Sequence, residues 1–214
     1  MMSVAFMPNT PLFQTSKKRL LKLLNDSISN IFISNNMKFR ILLAFLIMFL
    51  FNNSSVANEN RTLYDFSFED IDGNQVKLDK FTGKPVLVVN TASRCGYTPQ
   101  YANLQNLFLE YKDSDLTIIA TTSNSFFQEY DETEDIKKIC LVNYGVGFVT
   151  SSPMDVNGDN IHPIYSWIKD EYNKVPKWNF FKFLFNRNGK LVDSWSSMTK
   201  PDSNKIKNEI DLLI

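Results

Sequence analysis

The chain has 214 residues, 43% of them hydrophobic and 21% charged, with 23 Lys/Arg against 23 Asp/Glu, two cysteines and one histidine. That length supports one domain with a sizeable core. Zero net charge with scattered lysines excludes the basic face that nucleic-acid binding needs, and the single histidine excludes most metal sites and any histidine triad with a spare base.

The charge is uneven along the chain. Six Lys/Arg and one acid precede Asn58, and seventeen and twenty-two follow it. From Met37 the sequence reads MKFRILLAFLIMFLFNNSSVA, with Lys38 and Arg40 before an apolar run from Ile41 to Phe51 and small residues at Ser55 and Ala57. This is the three-part pattern of a secretory signal peptide. A membrane anchor is the alternative, but the run is well short of the roughly 20 residues a span needs. Residues 1–57 are therefore expected to be an N-terminal extension and signal peptide, with the start at Met37 and cleavage after Ala57. The protein would be exported, to a bacterial periplasm or beyond the cell, and residues 58–214 would form the domain.

Within that domain, Thr62 to Glu69 alternates as a strand, Asp72-Gly73-Asn74 turns, and Gln75 to Leu78 returns. VLVVNTA, starting at Val86, is a continuous apolar run suited to a strand buried on both faces. After the Ser93–Gly96 loop, Tyr101, Leu104, Phe108 and Tyr111 recur at helical spacing. Leu116 to Ala120 is the next buried strand, and Asn124 to Thr133 is a polar loop. Thr133, Ile136, Ile139 and Cys140 mark a helix with Lys137 and Lys138 on its wet side. His162 to Tyr172 is a helix with Ile164, Trp167 and Ile168 inward. Asn179–Phe185 and Leu191–Trp195 are strands joined around Asn188-Gly189. Ser203 to Ile214 closes as a helix with Ile206, Ile210 and Leu213 on one face. Two buried strands linked by a helix imply a parallel pair, to which the last hairpin adds antiparallel strands. The fold class is α/β, a thioredoxin-like mixed sheet flanked by helices.

Cys95 falls between a buried strand and a helix start. Backbone N–H groups, the helix dipole and Arg94 would all favour its thiolate. A thiolate can displace a peroxide O–O bond and become a sulfenic acid. A disulfide oxidoreductase would carry Cys-x-x-Cys, but Thr98 stands where the second cysteine would be. Cys140 is then the one candidate partner, unless the pair is a structural disulfide, as an even count in an exported protein also allows.

The stretch VLVVNTASRCGYTPQYANLQNLFLEYKD, Val86 to Asp113, resembles the signature region of glutathione peroxidases around their peroxidatic residue. IKKICLVNYGV, from Ile136, resembles the helix that carries the resolving cysteine in the two-cysteine, thioredoxin-reduced branch. DVNGDNIHPIYSWI and KWNFFKFLFNRNGKLV extend the likeness over roughly residues 62–203. The resemblance implies a thiol peroxidase that uses no bound cofactor or metal. Its substrate would be hydrogen peroxide or an organic hydroperoxide, and its reductant a thioredoxin-like protein or glutathione.

The family's site is a tetrad of Cys, Gln, Trp and Asn. Cys95, Trp178 and Asn179 take three of these places, with the indole and amide N–H groups as donors to developing charge. Against the family stretch FPCNQFGGQEP, this chain reads Thr121 to Tyr130 with one residue fewer. The alignment sets Ser125 at the catalytic Gln and Gln128 against a different family Gln, from which Gln128 could swing into the gap. Ser125 is thus the expected fourth member, with a shorter reach. A degenerate redox sensor or binding protein on the same fold is the alternative function. Asp155-Val156-Asn157-Gly158-Asp159 is expected to be a turn rather than a calcium loop, since position twelve is Ser166. His162 is expected to be structural. Asp131, Glu132, Glu134 and Asp135 are expected to form a solvated helix start.

Overall fold

The computed structural model describes residues 61–214 together with Lys22 and Asp26. The expected start, signal peptide and cleavage after Ala57 lie outside the described residues. Asn60–Ile214 forms a compact unit of its own.

Its centre is strand β3, which follows a small antiparallel hairpin of β1 (Ser67–Glu69) and β2 (Gln75–Lys77). β3 (Val86–Thr91) is buried at every position. It pairs in parallel with β4 (Thr117–Thr122), reached through helix α1 (Gln100–Glu110). β4 continues in parallel to the short β5 (Val149–Thr150), reached through helix α2 (Thr133–Lys137) and a wider, π-wound turn over Lys138–Asn143. Helix α3 (Pro163–Tyr172) precedes the closing antiparallel hairpin, β6 (Lys182–Phe185) and β7 (Leu191–Trp195), and helix α4 (Asn204–Asp211) ends the chain. The five-stranded sheet runs β5-β4-β3-β6-β7. This is the mixed α/β sheet expected of a thioredoxin-like fold.

Period-two alternation along β3 divides the core into two clusters. Leu87 and Val89 face one that includes Tyr101, Leu104 and Leu107 of α1, Ile206 and Ile210 of α4, and both cysteines. Val86 and Val88 face the other, with Ile164, Trp167 and Ile168 of α3 and Phe68 and Val76 of the first hairpin. Both thiols thus lie on one side of the sheet, under α1. Among the described residues no helix is long and apolar enough to cross a membrane.

Three expectations are revised. The first strand starts only at Ser67, because Asp65 accepts from the Thr62 N–H (2.7 Å) and hydroxyl (3.1 Å) and closes a 3-10 turn over Leu63–Asp65. Asn179–Phe181 is not strand, since Phe180 adopts a left-handed φ of 63° and the ladder begins at Lys182. The helix around Cys140 keeps α-geometry only to Lys137, and then widens.

Candidate active site

Cys95 sits in the turns between β3 and α1 and is 6% exposed. Its own N–H donates to the Thr98 hydroxyl (3.0 Å), which in turn donates to the Ala92 carbonyl (2.9 Å). Thr98, at the place of a second Cys-x-x-Cys cysteine, therefore ties the loop to the strand that feeds it. The Tyr97 N–H points at the Cys95 sulfur (3.4 Å), a donor suited to a thiolate. α1 itself starts only at Gln100, and the Arg94 guanidinium lies over the Tyr130 ring, 5.4 Å from its centroid. The donor that reaches the sulfur is thus a backbone N–H of the loop, that of Tyr97.

Asn90, a polar residue in the middle of the apolar run, organises the facing segment. Its Nδ2 donates to the Trp178 carbonyl (3.0 Å), and its Oδ1 accepts from the Phe181 N–H (2.8 Å). These bonds clamp the Trp178–Phe181 turn against the end of β3. Asn179 is fully buried, and Trp178 is 41% exposed with its ring 5.4 Å from that of Phe126. A tryptophan this exposed is no core aromatic. The Ser197 hydroxyl donates to the Asn179 carbonyl (2.5 Å), and the Ser197 carbonyl accepts from Gln100 Nε2 (2.6 Å).

Ser125 and Gln128 have different partners. The Ser125 hydroxyl accepts from the Ser123 hydroxyl (3.0 Å) and the Val156 N–H (3.0 Å) and donates toward Asp155 (3.4 Å). It braces the Asp155 turn, which also holds the His162 N–H through the Asp155 carbonyl. Gln128 instead receives Asn179 Nδ2 on its Oε1 (3.1 Å), and its carbonyl accepts the Arg94 N–H (2.9 Å). Phe127, at φ 58°, turns the chain where the family has two glycines and this chain has one residue fewer, and Gln128 follows it.

Cys140 is fully buried in the same cluster, and both cysteines are free thiols. Its sulfur reaches only the Lys137 carbonyl, at 3.9 Å, and burial pushes its pKa up to about 11. Two buried charged groups were not anticipated. Glu129 accepts the Ser93 and Tyr130 N–H groups on Oε1 (3.1 and 2.9 Å), and burial raises its pKa. Lys182, a lone charge within the apolar run FFKFLF, donates to Gln100 Oε1 (2.5 Å), and burial lowers its pKa to about 7. The signal for both Asn90 and Lys182 was a polar residue inside a run otherwise fit for the core.

His162 caps α3, accepting the Ile164 N–H on Nδ1 (3.3 Å), and borders a cavity of about 290 Å³ beside β1. The acids at positions 131, 132, 134 and 135 are exposed around the start of α2.

The glutathione peroxidase family model matches residues 63–169. "Glutathione peroxidase-like peroxiredoxin gpx1" of Schizosaccharomyces pombe is 41% identical over 156 residues, covering 71% of this chain and 98% of that protein. "Hydroperoxy fatty acid reductase gpx1" of Synechocystis is 40% identical over 157 residues, covering 68% and 93%. The crystal structure of Trgpx in apo form superposes with a TM-score of 0.59 at 35% identity, covering 72% of this chain and 95% of that one. T. cruzi GPX1 gives a TM-score of 0.57 at 29% identity, covering 72% and 96%.

Proposed function

Because the chain belongs to the glutathione peroxidase family and is a thiol peroxidase, we propose that Cys95 is the peroxidatic residue, with Gln128, Trp178 and Asn179 as its donors and Cys140 as its resolving thiol. The Cys95 thiolate attacks the terminal oxygen of a hydroperoxide. As the S–O bond forms the O–O bond breaks, Cys95 keeps the hydroxyl as a sulfenic acid, and the alkoxide or hydroxide leaves as alcohol or water by taking up from solvent the proton that the Cys95 thiol gave up on ionising. Cys140 then displaces water to form a Cys95–Cys140 disulfide. A thioredoxin-like dithiol protein, or glutathione, returns both sulfurs to thiols.

The bond from Asn179 to Gln128 carries this reading, since the Gln128 carbonyl also holds Arg94, the residue before Cys95. With Gln128 in that place, Ser125 no longer argues for a non-catalytic sensor. Hydrogen peroxide or an organic hydroperoxide is the substrate proposed, and export through the leader at residues 37–57 is part of the same reading. The test is peroxide consumption with a dithiol protein reductant and with glutathione. Cys95→Ser should lower consumption at least a thousandfold, and Cys140→Ser should accumulate a Cys95 sulfenic acid that a dimedone-type reagent traps. A Cys95 that remains a thiol under excess peroxide overturns the assignment.

A further inference from the structure

Lys182 is fully buried in β6, inside the apolar run FFKFLF. Across the sheet it pairs with Val89 of β3 and Trp195 of β7. Among the described residues no carboxylate pairs with it, and burial is the whole cause of its lowered pKa. Its one hydrogen bond among those residues runs from Nζ to Gln100 Oε1 (2.5 Å). A buried amine without a counter-charge is costly, and packing alone would be better served by an apolar residue of the same length. A charge that breaks the pattern of its own strand therefore calls for another explanation.

Gln100 supplies one. A carboxamide has one accepting end and one donating end. With Lys182 on Oε1, Nε2 faces the other way and donates to the Ser197 carbonyl (2.6 Å). The Ser197 hydroxyl donates to the Asn179 carbonyl (2.5 Å), and Asn179 Nδ2 donates to Gln128 Oε1 (3.1 Å). The Gln128 carbonyl accepts the N–H of Arg94 (2.9 Å), the residue before Cys95. In the other direction the Gln100 N–H donates to the Tyr97 carbonyl (2.8 Å), and the Tyr97 N–H points at the Cys95 sulfur (3.4 Å). These bonds make a closed circuit that begins and ends at Cys95, and Lys182 is attached to the carboxamide in the middle of it. Asn179 Oδ1 is buried with no partner. The Asn179 amide is therefore held at its tip by Gln128 alone, and its backbone carbonyl is held by Ser197.

We propose that Lys182 is a positioning residue for the peroxide step, acting through Gln100 and Ser197 to hold Asn179 in register with the Cys95 loop. Without the amine the Gln100 amide can turn over, which sets Oε1 against the Ser197 carbonyl, two acceptors face to face. Ser197 then has to shift, and Asn179 shifts with it. A displacement of about 1 Å, caused well away from the reacting atoms, can cost roughly a hundredfold in rate. Lys182 itself forms and breaks no bond in the reaction. An amine donates whether or not it carries its extra proton, so the hold on Gln100 persists where Lys182 is neutral. The proposal rests on Cys95 being the peroxidatic residue and Asn179 one of its donors.

Stopped-flow oxidation of the reduced full chain by hydrogen peroxide gives the second-order rate at Cys95. Lys182→Met and Ser197→Ala, in separate segments, should each slow it about tenfold. The double variant should be no more than about twofold slower than the slower single one, because both cut the same chain of contacts. In an Asn179→Ala background, Lys182→Met should change the rate by less than about twofold. By denaturant midpoint at pH 7, Lys182→Met should be at least as stable as the wild type, since an apolar side chain replaces a buried amine. Slower oxidation in a fold that is no weaker is not what a packing role produces. The loss should lie in the plateau of rate against pH. A plateau that is kept while the midpoint moves up would mean that Lys182 acts through its charge, and overturns the proposal. So does a wild-type rate in either single variant, or a double variant in which the two effects multiply to about a hundredfold. If Asn179→Ala also oxidises at the wild-type rate, the donor reading of Asn179 falls and takes the proposal with it. If Asn179→Ala is slow while Lys182→Met and Ser197→Ala are not, that reading stands and the positioning role alone is overturned.

Discussion

Around Cys95 the backbone is pinned from several directions. Thr98 ties the loop to β3, Asn90 clamps the turn opposite, Gln128 bonds both Arg94 and Asn179, and Ser197 links Asn179 to Gln100 at the start of α1. Around Cys140 the sulfur has one weak contact, α2 lasts five residues, and the backbone widens into a π-wound turn. One cysteine stands on a braced scaffold, and the other on a short helix whose winding changes just before it. Reaction with peroxide requires donors already in place. Resolution requires a buried thiol to travel, which favours a segment of low local stability. The two thiols share a core cluster but have opposite mechanical settings.

The largest effect expected within the braced half concerns Gln128 and Ser125. Removing a well-placed donor to developing charge costs about 3 kcal/mol, or roughly a hundredfold in rate. Gln128→Ala should therefore slow Cys95 oxidation by roughly ten- to a hundredfold. Ser125→Ala should leave that rate within about threefold, and should instead lower stability by roughly 1 kcal/mol through the orphaned Val156 N–H. Second-order rate constants for Cys95 oxidation and thermal midpoints for both variants decide between them. The reverse ranking would return Ser125 to the donor role its alignment suggests.

Elements with strong periodicity were legible in the sequence. β3, α1, α3, α4 and the closing hairpin all declare themselves by apolar spacing, and Cys95, Trp178 and Asn179 stand out as candidates by their motifs. The bond between Gln128 and Asn179 is only half legible: the sequence leaves Gln128 free to swing toward the gap at Ser125, but the bond itself depends on one left-handed residue, Phe127, that turns the shortened loop. Alignment counts residues, whereas the loop closes by backbone angles. The Asn179–Phe181 turn was hidden for a related reason. Its apolar composition reads as strand, but the side chain of Asn90, some ninety residues earlier, competes for its backbone groups. Lys182 shows in the sequence as a charge inside the apolar run FFKFLF, whereas Glu129 stands in a polar loop and its burial is reported by no local pattern.

A smaller effect sets two lysines against each other. Lys182, on the Cys95 side, is buried with Gln100 as its partner, and its pKa is lowered to about 7. Lys137, on the Cys140 side, meets two carboxylates, which raise its pKa. For Lys182, folded and unfolded chains are both protonated below about pH 7. Above that the unfolded chain holds more protons until about 10.5, so this group makes stability rise with pH across the window. Between pH 6 and 9 the rise is on the order of 2 kcal/mol. Denaturant unfolding should show Lys182→Met losing that slope, whereas Lys137→Met should leave the profile over the same range unchanged. An unaltered slope in Lys182→Met would mean that the buried ammonium stays charged in the fold.

The smallest effect concerns backbone strain. Each cysteine has a left-handed residue nearby. Beside Cys140 it is Gly145, at φ 61°, where the missing Cβ makes the conformation easy. In the loop that carries Gln128 it is Phe127, at φ 58° and 92% exposed, so its ring gains almost nothing from burial. A Cβ in this region costs roughly 1 kcal/mol, which makes Phe127 a local cost the rest of the fold must carry. Phe180 shares the conformation, but its ring is buried, so replacing it would confuse strain with packing. Phe127→Gly isolates the strain. It should raise stability by about 0.5 kcal/mol, the relief being partly offset by the greater freedom of glycine in the unfolded chain. Gly145→Ala should lower it by about 1 kcal/mol. With a domain of this size the shifts are only a few degrees in Tm, so denaturant midpoints are the better measurement. The same Phe127→Gly protein should oxidise Cys95 more slowly, by up to about threefold, because a glycine there lets Gln128 wander from Asn179. Greater stability with slower oxidation would identify the strain as what holds Gln128 in place. A variant that is less stable than the wild type would show that the exposed ring, and not the angle, is what the loop needs.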